Sequence, residues 1–195
     1  MSSLHFNYGS MNSGKSTMLI QTAHNYTRND QRVMILKPHV DTKSPYVLSR
    51  IGAKAPVDLH VEPYMNLLEE IDKFIVASPL QLACVLVDEA QFLHPDQVDQ
   101  LLAVTVRFKI PVLAYGLRTD FHTHAFPGAA RLLQLAHHLN EIKTVCACGK
   151  KATLVGRQDG NGVWVKEGPQ VAIDGDAVYV PLCSRCYDNY VGLPV

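Results

Sequence analysis

The stretch Gly9-Ser-Met-Asn-Ser-Gly14-Lys15-Ser16 constrains this chain more than any other, because it fits the pattern G-x-x-x-x-G-K-[ST]. LHFNY (4–8) before it is apolar enough for a short strand, and KSTMLIQTAHNYTRN (15–29) after it has helical periodicity on one face. A glycine loop set between a strand and a helix is the context in which that pattern cradles phosphates. Loop amides and the unpaired N–H groups of a helix start converge there on anionic oxygens. Gly9 and Gly14 allow the backbone angles and close approach that a side chain would block. Ser10, Met11, Asn12 and Ser13 complete the loop. Lys15 is then the residue for the β- and γ-phosphates of ATP, and the Ser16 hydroxyl for Mg²⁺. The motif fixes a ligand and leaves the activity open, since motors, switches, transporters and small-molecule kinases all carry it.

Other segments supply the rest of the fold. RVMILK (32–37), the start of LACVLVDEAQF (82–92) and IPVLAYGL (110–117) are apolar runs expected to form buried strands. MNLLEEIDKFIVA (65–77), PDQVDQLLAVTVRF (95–108) and part of FPGAARLLQLAHH (126–138) have helical patterns, with Pro95 suited to a first turn. EIKTVCAC (141–148) is expected to be a further strand, and residues 38–63, which lack periodicity, a long loop. Strand and helix patterns alternate, which predicts an α/β fold: a RecA-like parallel sheet with helices on both faces. Beyond residue 143 the character changes to glycine-rich loops, short alternating strands and four of the five cysteines. The expected division is therefore a P-loop domain over 1–143 and a small zinc-ribbon-like domain over 144–195.

In VLVDEAQF (85–92) a buried strand runs into Asp88-Glu89, which puts carboxylates at the edge of the sheet where open α/β sheets bind ligands. Asp88 is the candidate to hold Mg²⁺ beside Ser16. Glu89 is the candidate base, and two roles stay open for it. It could orient a water, as in the Asp-Glu box of helicases, or accept the proton of a substrate hydroxyl that attacks the γ-phosphate. Length and charge bear on this choice. A motor needs about two RecA-like domains, and 195 residues provide one. Lys+Arg and Asp+Glu are both 18, and a neutral chain lacks the basic track of a nucleic-acid polymer binder.

Cys146-Ala-Cys148 and Cys183-Ser-Arg-Cys186 form two close thiol pairs. That is the arrangement expected of a structural Cys₄ zinc site. Cys84 lies in an apolar run and is expected in the core. No apolar run reaches the roughly 18 to 20 residues that span a bilayer, and the N-terminus lacks a signal-peptide pattern. A cytoplasmic protein with no membrane association is expected. His122 and His124, in FHTHAF, are expected on a solvated loop.

NYGSMNSGKST, VLVDEAQFL, PVLAYGLRTDF and a terminal cysteine-bearing segment together resemble the type II thymidine kinases, the zinc-containing cytosolic family. The likeness runs from Leu4 to Tyr187 and is nearest the bacterial branch, where YGLRTDF and SRIG (49–52) recur. The resemblance implies transfer of the γ-phosphate of ATP to the 5′-hydroxyl of thymidine or deoxyuridine, with Mg²⁺ and a structural Zn²⁺. It implies that Glu89 is the catalytic base, and that Asp88 and Gln91 join residues 9–16 in binding ATP. For the nucleoside it implies Met11, Phe92, Leu117, Arg118, Phe121 and Phe126. It adds a "lasso" of Gln170, Val171, Ala172 and Ile173 through Tyr179, whose backbone reads the thymine ring. The family also implies a homotetramer and inhibition by dTTP. The chain departs from the family pattern in having Asp174-Gly175 in the lasso and Lys43 where an arginine is common. Arg118 carries two readings, γ-phosphate stabilisation or a surface ion pair. The competing overall reading is a P-loop ATPase with a structural zinc module.

Overall fold

The apolar runs pair side by side and build one parallel sheet. The computed structural model describes residues 2–39, 44–171 and 177–193. In chain order the first twelve elements are β1 (Leu4–Tyr8), α1 (Lys15–Thr27), β2 (Arg32–Pro38), β3 (Tyr46–Leu48), β4 (Lys54–Pro56), β5 (Leu59–Val61), α2 (Leu67–Val76), β6 (Leu82–Val87), α3 (Pro95–Arg107), β7 (Val112–Gly116), α4 (Pro127–Leu135) and β8 (His138–Glu141). The six-stranded sheet has the order β5-β2-β6-β7-β1-β8, with every pair parallel.

Side chains alternate across each strand, so the sheet has two apolar faces. Leu4, Phe6, Met34, Leu36, Val85, Val87, Val112 and Ala114 meet Ile71 of α2, Leu101 and Val104 of α3 and Leu132 of α4. Ile35, Cys84, Leu86 and Tyr115 point the other way, onto Leu19 and Ala23 of α1. Helices therefore cover both faces, three against one. Each fully buried aliphatic side chain contributes roughly 1.5–3 kcal/mol. Cys84 is buried among them, and burial pushes its thiol up to about 12, so it is inert at neutral pH.

Three expectations need correction. Residues 38–63 are not one long loop: they hold β5, which extends the sheet, and the antiparallel β3–β4 hairpin. These strands are three residues each, too short to show a period. The strand expected to end in Asp88-Glu89 stops at Val87, so both carboxylates lie just beyond it, and Ala90–Phe92 form a 3₁₀ turn. The strand expected over 141–148 is split. Its start belongs to β8, an edge strand that began at His138, and β9 follows separately. An edge strand needs no apolar run, which is why HLNE carried no signal.

The remaining segment contains β9 (Thr144–Val145), β10 (Lys151–Ala152), β11 (Leu154–Gln158), β12 (Val178–Leu182) and α5 (Ser184–Tyr190). β9 pairs with β10 and β11 with β12, both antiparallel. Its core is small: Cys146, Ala152, Leu182, Cys183, Tyr187 and Val191. The Tyr187 hydroxyl donates to the Phe121 carbonyl at 2.6 Å, which ties this module to the loop after β7.

Candidate active site

The glycine loop leaves the C-terminal end of β1 and turns into α1 through Gly14, at φ 85 and ψ 18. No side chain caps this helix start, so its first N–H groups are available to an anion. Lys15 folds over the loop, its Nζ donating to the Ser10 carbonyl at 2.9 Å. Burial lowers the Lys15 pKa, and the carboxylates of Glu89 and Asp88 push back in the other direction. The Ser16 hydroxyl donates to Asp88 Oδ1 at 3.2 Å, so the two expected Mg²⁺ ligands converge across the end of the sheet. Burial, then the neighbouring Glu89 charge, pushes the Asp88 carboxyl up to about 7. A half-buried hydroxyl and a buried carboxylate of this kind fit a hard divalent cation, which would favour the ionised form.

Glu89 stands where the chain leaves β6, in the left-handed region at φ 48 and ψ 38. Strain in a non-glycine residue here marks a position that the surroundings hold in place. The holder is Gln91, which is 1% exposed. Its Nε2 donates to Glu89 Oε2 at 2.6 Å, and its Oε1 accepts from the Leu117 N–H at 3.0 Å. Gly116 makes room for this, since a Cβ there would lie 2.7 Å from Gln91 Oε1.

Two cavities meet at Glu89. One, of about 280 Å³, is lined by Met11 through Thr17, by Leu48, Ser49, Arg50 and Ile51 of the β3–β4 turn, and by Glu89. The other, of about 160 Å³, is mostly apolar: Met11, Phe92, Leu117, Phe121, Phe126, Val155 and Val171 line it with Glu89, Gln91, Asp120, Gln170 and Tyr179. Phe92 and Phe126 meet edge to face, 5.4 Å between centroids. Gln170 Nε2 donates to Asp120 Oδ2 at 2.9 Å. Arg157, 5% exposed, lies 3.8 Å from the Phe121 ring centroid. It donates to the carbonyls of Pro169 at 2.8 Å and Glu167 at 3.3 Å, and so holds the approach to Gln170 against Phe121.

Behind this wall the sulfurs of Cys146, Cys148, Cys183 and Cys186 lie within 4.8 Å of one another, with Cys148 and Cys183 Sγ 3.6 Å apart. Ligands of a tetrahedral Zn²⁺ with bonds of about 2.3 Å stand about 3.8 Å apart, so the set fits a closed Cys₄ ion.

The thymidine kinase family model matches residues 2–187. The chain belongs to the thymidine kinase family. A thymidine kinase of Ruegeria pomeroyi is 44% identical over 100% of this chain and 98% of its own length. One of Chromobacterium violaceum is 45% identical over 97% of this chain and 100% of its own. That of Enterobacteria phage T4 is 44% identical over 97% of each.

Of the residues to which the family likeness points, Met11 through Ser16 and Glu89 line one cavity, with Asp88 bonded to Ser16 beside it, and Met11, Phe92, Leu117, Phe121, Phe126, Gln170, Val171 and Tyr179 line the other. Gly9 and Ser10 line a narrow crevice instead, although the Ser10 carbonyl accepts from Lys15. Two more are placed differently. Gln91 does not line the phosphate cavity; it braces Glu89 from the apolar one. Arg118 lines neither, and sits in a narrow crevice with its guanidinium 5.9 Å from the Tyr8 ring centroid. Nor does it form a surface ion pair among the described residues. Ala172, Ile173, the Asp174-Gly175 pair and Lys43 lie outside the described residues. Several contributors went unassigned from sequence, among them Thr17, Leu48, Ser49, Arg50, Ile51, Asp120, Val155 and Arg157. SRIG was visible as a recurring string, but nothing local says that its turn faces the glycine loop.

Proposed function

We propose that the chain transfers the γ-phosphoryl group of ATP to the 5′-hydroxyl of thymidine, giving thymidine monophosphate and ADP. One observation carries the reading: Glu89 and Met11 belong to both cavities, so a nucleoside in the apolar cavity presents its hydroxyl to the phosphate cavity at the Glu89 carboxylate. Residues 1–143 then form the phosphoryl-transfer domain and 144–195 the zinc-bearing wall of the acceptor site.

As the 5′-oxygen forms its bond to phosphorus, the bond to the β-phosphate oxygen breaks and ADP leaves. The hydroxyl proton passes to Glu89. An ordinary carboxylate is a weak base toward an alcohol, so Glu89 chiefly orients the hydroxyl until it acidifies late in a loose transition state. Gln91 fixes the Glu89 carboxylate by its 2.6 Å hydrogen bond. Lys15 and the helix N-terminus neutralise the phosphates. Arg50, which has no hydrogen bond or ion pair among the described residues and depresses the Lys15 pKa, supplies a further cation from the facing turn. Ser16 and Asp88 would hold Mg²⁺, which would supply charge neutralisation to the phosphates.

Deoxyuridine is a second substrate, because a methyl pocket discriminates by only about 1–3 kcal/mol. The meeting of the two cavities supports inhibition by dTTP, which joins a nucleoside to a triphosphate. Homotetramer assembly and cytoplasmic location rest on the family likeness; no helix of the described residues is long and apolar enough to cross a membrane. The test is ADP formation with and without thymidine, with the nucleoside product identified. Thymidine-dependent ADP release with thymidine monophosphate formed supports the reading. Hydrolysis indifferent to thymidine overturns it in favour of a P-loop ATPase.

A further inference from the structure

We infer that Asp120, His122 and His124 form a second metal site, one that takes Zn²⁺ beside the nucleoside cavity. A carboxylate oxygen of Asp120 and a ring nitrogen of each histidine lie within 4.8 Å of one another. The carboxylate is built into place. Asp120 is 5% exposed, and its Oδ1 accepts from the backbone N–H groups of His122 at 2.8 Å and His124 at 2.9 Å. The Asp120 N–H donates to the His124 carbonyl at 2.9 Å, closing a tight loop.

The two histidines flank Thr123, whose φ is 70. A β-branched residue is an outlier in that region. The loop therefore holds a strained turn while gathering two imidazoles at one carboxylate. No ring nitrogen of His122 or His124 has a hydrogen-bond partner among the described residues. Two imidazoles and one carboxylate suit a borderline divalent ion. Three protein ligands leave a position open, unlike the closed Cys₄ set. The backbone donors that orient Asp120 play the part that outer hydrogen bonds play around a metal-ligating carboxylate.

The site is coupled to the acceptor cavity, which rests on the function proposed above. Asp120 Oδ2 accepts from Gln170 Nε2 at 2.9 Å, and both residues line the cavity, as does Phe121. An ion at the Asp120 carboxylate competes with Gln170 for that oxygen and loosens the segment that closes over the nucleoside. Occupancy weakens nucleoside binding and leaves phosphate binding alone.

The experiment titrates Zn²⁺ into the full chain already holding one zinc, with no substrate present, and follows binding by calorimetry. A second, weaker equivalent is expected in the wild type. It is expected to be absent from His122→Gln/His124→Gln, which retains the first. A single equivalent in the wild type, or a second one kept by the double variant, overturns the site. Should the double variant fail to fold, the exposed His124→Asn alone is expected to weaken the second equivalent, and unchanged binding overturns the site. With turnover as the second readout, Zn²⁺ is expected to raise the nucleoside KM about fivefold or more with kcat unchanged, and to spare the double variant. Binding without a change in KM overturns the coupling. Because the binding measurement uses no substrate, its outcome is independent of the proposed reaction.

Discussion

Two halves of this molecule meet at one carboxylate, and they are held together by different forces. The parallel sheet is sealed on both faces, with Leu4, Phe6, Leu36, Val85, Leu101 and Leu132 in one continuous core and Leu19, Ile35 and Leu86 in another. The cysteine-bearing module buries little more than Ala152, Leu182, Tyr187 and Val191 around four thiols. A core that small does not hold a segment of such length by apolar burial, and small domains of this kind lean on a metal. Apparent binding of a structural zinc is worth roughly 10–16 kcal/mol. The donor half of the site therefore stands on packing and the acceptor half on coordination. Substitutions in each half are expected to fail in different ways.

The largest effect is expected at the junction. Glu89→Gln keeps the shape and the Gln91 contact but removes the base, and kcat should fall by about 10²-fold or more with ATP affinity unchanged. Single-turnover kinetics and nucleotide titration measure the two separately; an unaltered kcat removes Glu89 from the mechanism. On the donor side, Arg50→Ala takes a cation from the phosphate cavity, and kcat should fall about tenfold with nucleoside KM unmoved. A change confined to nucleoside KM contradicts that placement. On the acceptor side, Arg157→Ala breaks its bonds to the Pro169 and Glu167 carbonyls. Nucleoside KM should rise about tenfold while ATP affinity stays put.

The smallest expected effect is on stability. The Asp88 carboxyl ordinarily titrates near 3.8 and in the fold is pushed up to about 7. Between those values the folded protein holds a proton that the unfolded chain has lost. The stability that this proton confers is complete below about 3.8 and is lost as pH rises to about 7. With magnesium absent and zinc retained, Asp88→Asn should therefore raise Tm at pH 8 more than at pH 5.5, as thermal melts would show. An equal shift at both values contradicts the burial argument.

Legibility in the sequence follows the same division. The glycine loop, β6, β7 and the amphipathic helices declare themselves because burial on a regular element imposes a period, and because a phosphate loop is local in sequence. The place of Glu89, just past a buried apolar run, was visible for the first of these reasons. Its strained φ was not, since it arises where the chain bends past Val87 under the hold of Gln91. β8 and the three-residue strands β3, β4 and β5 escaped because edge and short strands carry no apolar run. Arg157 looks like any surface arginine in LVGRQ. Only the fold brings Phe121 and the 167–170 backbone against it. The four cysteines gave the metal site, while the shape of the wall around it stayed hidden.

Removing zinc tests the central claim most directly. With the Cys₄ ion stripped by a chelator, calorimetry should show thymidine binding lost and ATP binding retained within about twofold. Thymidine binding that survives without the metal, or ATP binding that disappears with it, would contradict a site assembled from two independently held halves.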